Sequence, residues 1–215
     1  MTEHNFDQMR QGMVVSQLRP TGVNDARVVS AMASVPREAF VPADKAPLAY
    51  LDIAIPLADG RSLNPPMAVG RLLTEAQVQP GDKVLLVGAA TGYTAALLSA
   101  LGADVVAVEE NADLVTHGKA ALPAGVKWVK GPLAAGSRAD APFDIVMIDG
   151  AVEQIPQAII DQLADGGRLV GAIVDRGVTR LVSGARAGKG FGTRAFADTD
   201  TVSLPGFAKP AAFSF

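Results

Sequence analysis

A turn of small residues, Gly88-Ala89-Ala90-Thr91-Gly92, is the first place in this chain where chemistry could be built. It follows an unbroken apolar run at 84–87 and precedes an Ala- and Leu-rich stretch at 94–101. Small side chains let a backbone come close to a ligand. A helix opening behind the turn aims free N–H groups and a positive dipole end at an anion. A second apolar run, 105–108, ends in Glu109 and Glu110. Glu109 lies about 20 residues beyond Gly88, where an acid on the second strand of such a unit accepts hydrogen bonds from ribose hydroxyls. The chemistry implied is nucleoside binding. The spacing G-x-A-x-G lacks the pyrophosphate cradle of G-x-G-x-x-G, which argues against a nicotinamide oxidoreductase.

The elements that must hold these groups follow from pattern. Phe6, Met9, Met13 and Leu18 recur at helical spacing, so 5–18 is expected as an amphipathic helix broken at Pro20-Thr21-Gly22. Asn24 is a candidate N-cap for a second helix with Val28, Val29 and Met32 on one face. Prolines 36, 42, 47, 56, 65 and 66 keep the next stretch irregular, and such a segment usually wraps a domain or serves its function. Helical character resumes over 67–76. After the central unit, in which Gly102 ends the helix, the pattern predicts a helix at 112–122 and a strand at 126–129 ending in Gly131-Pro132. A polar loop at 136–142 and a strand at 143–148 ending in Asp149-Gly150 come next. A helix at 154–163 with Pro156 in its first turn and a strand at 168–174 follow. Strands at 178–185 and 193–196 and an edge tail from 198 complete the chain. Trp128 and Tyr93 are expected in the core.

Strands alternating with helices from 84 to 174 predict an α/β fold with a doubly wound, mostly parallel, Rossmann-like sheet. On that frame Gly88, Glu109, Gly131 and Asp149 fall just past the carboxyl ends of four different strands, the edge at which open α/β sheets bind ligands.

Composition narrows the function classes. The chain has 215 residues, 49% of them hydrophobic, enough for one domain with a full core or one domain plus an appendage. Its formal net charge is -3, which argues against a sequence-independent nucleic-acid binder. There is no cysteine, hence no disulfide frame, thiolate metal site or Cys nucleophile, and this suits a cytoplasmic setting. Only two histidines occur, His4 and His117; both are expected to face solvent, and no metal site is expected. No apolar run approaches membrane-spanning length, so no membrane association is expected.

Three stretches carry a family resemblance: LRPTGVNDARVVSAMASVPREAFVP, then AYLDIAIPLADGRSLNPP, then QPGDKVLLVGAATGYTAALLSALG. In order and spacing, from about Leu18 to Val174, the chain resembles the protein-L-isoaspartate O-methyltransferase family as a diverged member. The resemblance implies a class I methyltransferase fold with an N-terminal helical extension. It implies S-adenosyl-L-methionine as cofactor, and methyl transfer to the carboxylate of isoaspartyl (or D-aspartyl) residues in damaged proteins or peptides. Residues 1–76 would form a helical and Pro-rich substrate-cleft segment packed on a cofactor-binding core, 77–215, within one compact domain. The cofactor contacts implied are Gly88, Ala89, Ala90, Thr91, Gly92, Glu109, Glu110, Gly131, Pro132, Leu133 and Asp149. The catalytic positions implied are Ser62 and Asn64.

The chain also departs from the family. Asn64 stands where the family motif T-I-S-Q/A-P has its Ser, Ala90 where the cofactor turn has its middle Gly, and Pro132 where an acid follows the third strand. Asp149 stands where a small or hydroxyl residue is common. These replacements leave two alternatives open: a fold-retaining protein of weakened or absent catalysis that binds cofactor or a partner, and a methyltransferase with another acceptor.

Overall fold

The computed structural model describes residues 5–122 and 125–209; His4 and the end of the expected tail lie outside them. Helix α1 (Phe6–Met13) is capped by Asn5, whose side chain accepts from the Gln8 N–H. The chain continues through a π-helical turn, Val14–Leu18, and leaves it at Gly22, which takes a left-handed conformation. Helix α2 (Ala26–Ser34) is capped by Asp25 and not by Asn24. The Asp25 carboxylate accepts from the N–H groups of Arg27 and Val28. Either residue type caps well. The burial of Val28, Ala31 and Met32 fixes the helix phase, and with it the later start.

The Pro-rich stretch is irregular but ordered. It makes the 3-10 turns Arg37–Phe40 and Ala43–Leu48, then a minimal antiparallel hairpin of β1 (Ile55–Pro56) and β2 (Ser62–Leu63). Helix α3 (Pro66–Ala76) begins at a proline, where a missing N–H costs nothing. The central unit is β3 (Lys83–Val87), α4 (Tyr93–Ala100) and β4 (Asp104–Glu109), extended by α5 (Ala112–Ala121) and β5 (Lys127–Lys130). The chain then returns to β6 (Phe143–Val152), makes a single helical turn, α6 (Gln157–Ile160), and closes with β7 (Leu163–Asp175), β8 (Val178–Ala187) and β9 (Gly190–Asp198).

The sheet runs β5-β4-β3-β6-β7-β8-β9. Its first five strands are parallel and its last two antiparallel. Travel reverses between β3 and β6, and this switch point is where doubly wound sheets open a crevice. Successive β3 residues serve opposite faces, as a two-residue period requires. Val84 and Leu86 join a core with Tyr93, Leu97 and Met32, whereas Leu85 and Val87 join one with Leu133, Ile148, Leu204 and Phe207.

Three expectations are corrected. The helix at 154–163 shrinks to the four residues of α6, because Leu163 is drawn into the sheet opposite Phe143. The strand at 143–148 does not end at Asp149: β6 continues to Val152 through an irregularity between Met147 and Ala151, so Asp149 sits inside the strand at that bulge. The tail is not an edge strand. Residues 202–204 cross the carboxyl end of β6, bridged at Ala151 and Ser203, because Leu204 and Phe207 find an apolar face there. No helix among the described residues is long and apolar enough to cross a membrane.

Trp128, the single tryptophan, packs its ring on α5. A Cβ placed on Gly118 would overlap Trp128 Cη2. Gly118→Ala should therefore destabilise the fold by about 1–3 kcal/mol through overpacking, although Ala favours a helix interior. Urea denaturation followed by Trp128 fluorescence reads this out; a stabilised variant would show that the ring yields freely.

Candidate functional site

Two acids are buried at the carboxyl edge, one on each side of the Gly88 turn. Glu109 ends β4 and is fully buried. Its Oε2 accepts from the Ala90 N–H at 2.8 Å and from Arg61 Nη2 at 2.8 Å. Its Oε1 accepts from the N–H groups of Glu110 (3.0 Å) and Asn111 (3.2 Å). Four donors thus surround one carboxylate. Arg61 belongs to the β1–β2 hairpin, whose turn closes when Leu57 N–H donates to the Arg61 carbonyl and Arg61 N–H to the Ala58 carbonyl. Its guanidinium is buried, and Nε and Nη1 have no hydrogen-bond partner.

Asp149, on β6, is the second acid. Its Oδ1 accepts from Asn64 Nδ2 at 2.7 Å and its Oδ2 from the Thr94 hydroxyl of α4 at 2.5 Å. Burial pushes the Asp149 carboxyl above the ordinary aspartate value, and the Thr94 and Asn64 hydrogen bonds and the charges of Arg61 and Arg37 pull it back only in part. Asn64 is held at three points. Besides Asp149, its Oδ1 accepts from the Val202 N–H (2.8 Å), and its carbonyl accepts from Arg37 Nη2 (2.6 Å). Arg37 is wholly buried, donates also to the Ala49 carbonyl (2.7 Å), and lies over the Tyr93 ring at 4.6 Å. Burial lowers the pKa of that guanidinium. The segment 61–64 therefore lies across the sheet edge and supplies one partner to each acid.

The remaining expected site residues fall around this pair. Gly88 and Ala89 donate to the Val108 carbonyl, which ties the turn to β4. Ala90 takes φ 50, a left-handed conformation that strains any residue with a Cβ. Thr91 donates its hydroxyl to the Phe40 carbonyl (2.6 Å), and Gly92 (φ 96) caps α4. Gly131 donates to the Glu109 carbonyl, placing the end of β5 beside the acid. Leu133 is buried in the second core, whereas Glu110 and Pro132 are exposed. Ser62 is half-buried and pairs through its backbone with Pro56. No hydrogen bond links its hydroxyl to either acid among the described residues. His117 is exposed, with a ring nitrogen 3.1 Å from the Ala39 carbonyl.

Sequence reasoning missed Arg61, Thr94 and Leu204. Arg61 sits in an Asp-Gly-Arg turn and reads as a surface cation. Thr94 reads as one more helix residue. Leu204 and Phe207 offered a signal, two large apolar residues in a Pro- and Gly-containing tail, which need cover. Side chains of the chain itself pack over the glycines of this edge. A Cβ on Gly88 would lie 2.9 Å from Leu204 Cδ2 and 3.5 Å from Arg61 Nη2, and one on Gly150 2.7 Å from Leu204 Cγ. Leu204 thus lies against both Gly88 and Gly150, with Arg61 beside Gly88.

The family model described as Protein-L-isoaspartate(D-aspartate) O-methyltransferase matches residues 9–191. A Koribacter versatilis (strain Ellin345) protein named protein-L-isoaspartate O-methyltransferase is 42% identical over 165 residues, 75% of this chain and 74% of its own length. A Methylorubrum populi protein of the same name is 37% identical over 202 residues, 92% of this chain and 95% of its own. Among solved structures, a protein-L-isoaspartate O-methyltransferase superimposes with a TM-score of 0.80 at 22% identity, covering 92% of this chain and 66% of that one. A Plasmodium falciparum protein described as a beta-aspartate methyltransferase, solved with S-adenosyl-L-homocysteine, gives 0.78 at 18% identity, covering 94% of this chain and 99% of that one. At these identities the two solved structures speak for the fold: a class I, Rossmann-like methyltransferase sheet.

The raised Asp149 pKa has a stability consequence with a definite sign. Below about pH 4 folded and unfolded chains both hold the proton. Above it the unfolded chain releases the proton while the folded chain keeps it, so this group's contribution falls as pH rises toward the folded pKa, by up to about 1.4 kcal/mol per pH unit. Urea denaturation of wild type and Asp149→Asn at pH 4, 5.5 and 7 should show wild type losing ground to the variant. A pH-independent difference would contradict this.

Proposed function

The chain belongs to the protein-L-isoaspartate(D-aspartate) O-methyltransferase family, and from that premise we propose that it methylates the free carboxylate of isoaspartyl residues in damaged proteins or peptides, with S-adenosyl-L-methionine as the methyl donor. The match to the family over most of the chain carries this reading. An acceptor carboxylate is already a nucleophile at neutral pH, so no histidine or cysteine base is required. The cofactor supplies an activated methyl group. The protein's task is to bind, orient and exclude water.

The residues suited to that task stand at the carboxyl edge. The Gly88–Gly92 turn keeps side chains out of the way, and Glu109 offers a fixed, buried acceptor. Asn64, held between Asp149 and the tail, would orient groups at the opposite side of the turn; Ser62 neighbours it on the hairpin. Glu110, Gly131, Pro132 and Leu133 would line the side nearest β5. Because Leu204 and Arg61 fill the space over Gly88 as the edge is packed, these are roles for an opened edge. In this reading residues 1–76 form the substrate-facing side and 77–215 the core, joined as one domain. Support comes from the shared core that Met13, Leu18, Met32 and Leu72 build with Leu86 and Leu97. A cytoplasmic setting belongs to the same proposal.

Incubation with S-adenosyl-L-methionine labelled in its methyl group and an isoaspartyl peptide should give label on the peptide that is released by mild base, as a carboxyl methyl ester is. The matched aspartyl peptide should stay unlabelled. Label no higher than in a protein-free control would sink the proposal, and equal labelling of both peptides would exclude selectivity for the isoaspartyl carboxylate.

A further inference from the structure

The carboxyl edge is closed by two elements distant in sequence. From one side comes Arg61, on the hairpin, with Nη2 on Glu109 Oε2 at 2.8 Å. From the other comes the tail. The Ala151 N–H donates to the Val202 carbonyl at 2.7 Å, the Leu204 N–H donates to the Ala151 carbonyl at 2.9 Å, and the Val202 N–H donates to Asn64 Oδ1 at 2.8 Å. The tail is thus laid on the end of β6 like a short added strand. Its Leu204 side chain is pressed against both Gly88 and Gly150. Those glycines flank the switch point between β3 and β6, the place a ligand of this sheet would take.

The two elements differ in how well they are satisfied. The tail's backbone is paired. Arg61 is only 5% exposed, yet two of its three nitrogens lack partners. A buried donor without an acceptor costs free energy that a ligand or solvent would recover. Leaving would let Arg61 Nε and Nη1 find partners but would break the ion pair with Glu109, so a ligand that opens this edge must itself donate to Glu109.

We propose that Arg61 and Leu204 form a plug in the place of the cofactor, so that the nucleoside binds by displacement. Ribose hydroxyls compete with Arg61 for Glu109, and the body of the ligand competes with Leu204 for the space over Gly88 and Gly150. The plug sets cofactor affinity, because a ligand that needs the open edge binds more weakly in proportion to how rarely that edge is open. This rests on reading the edge as the cofactor site of the proposed methyltransferase.

Calorimetric titration of the full chain with S-adenosyl-L-homocysteine tests it without turnover. Arg61→Gln and Leu204→Ala are compared with wild type, each after a thermal melt shows that it folds; the two variants remove different halves of the plug, so one suffices if the other misfolds. Binding about tenfold tighter in a folded variant is expected. Measurable wild-type binding that neither folded variant improves would overturn the plug and leave the cofactor site standing. Binding by none of the three proteins would overturn both.

Discussion

Two carboxylates buried at one edge of a sheet govern the rest of this structure. Glu109 and Asp149 lie on β4 and β6, on either side of the Gly88 turn, and both are buried. A charge taken out of water is tolerated only with donors close by. Glu109 finds three on the backbone that follows it and on the turn, and a fourth on Arg61. Asp149 finds Thr94 and Asn64. Arg61 and Asn64 come from the same short stretch. The irregular Pro-rich segment therefore crosses the sheet edge at a fixed height, and the buried Arg37 anchors it through the Asn64 carbonyl.

Much of this frame was legible in the sequence. The apolar runs, the Gly turn and the acid at 109 specify a parallel unit because period and turn chemistry are local properties. The partners of the acids were not legible, since they depend on which distant residue the tertiary fold brings near. Arg61 carries no local mark, and Thr94 is a hydroxyl in an otherwise apolar helix. Asp149 was expected past a strand end and lies within β6, because Ala151 and Val152 pair with β7 beyond the bulge. The tail was expected at an edge. Its two large apolar residues take it over the carboxyl ends of the strands, where the second core was uncovered.

The departures from the family acquire a physical coherence. Asn64 and Asp149 are partners, and the Asn side chain also reaches the Val202 N–H, so one amide joins the sheet to the tail. A serine hydroxyl is shorter and offers a single donor. Ala90 accepts left-handed strain of about 1–2 kcal/mol and delivers its N–H to Glu109. Pro132 opens a 3-10 turn at the surface beside β5. Asn64, Asp149 and Ala90 thus all bond at the carboxyl edge, and Pro132 stands beside it.

Hydrogen exchange at individual amides tests most directly whether ligand and tail compete for that edge. The amides of Ala151, Val202 and Leu204 are tied between β6, Asn64 and the tail. Adding S-adenosyl-L-homocysteine should speed their exchange while slowing that of Ala90, Glu110 and Asn111 around Glu109. Slower exchange at Val202 and Leu204 together with protection at Ala90 would show the tail closing over a bound ligand, and would contradict the account.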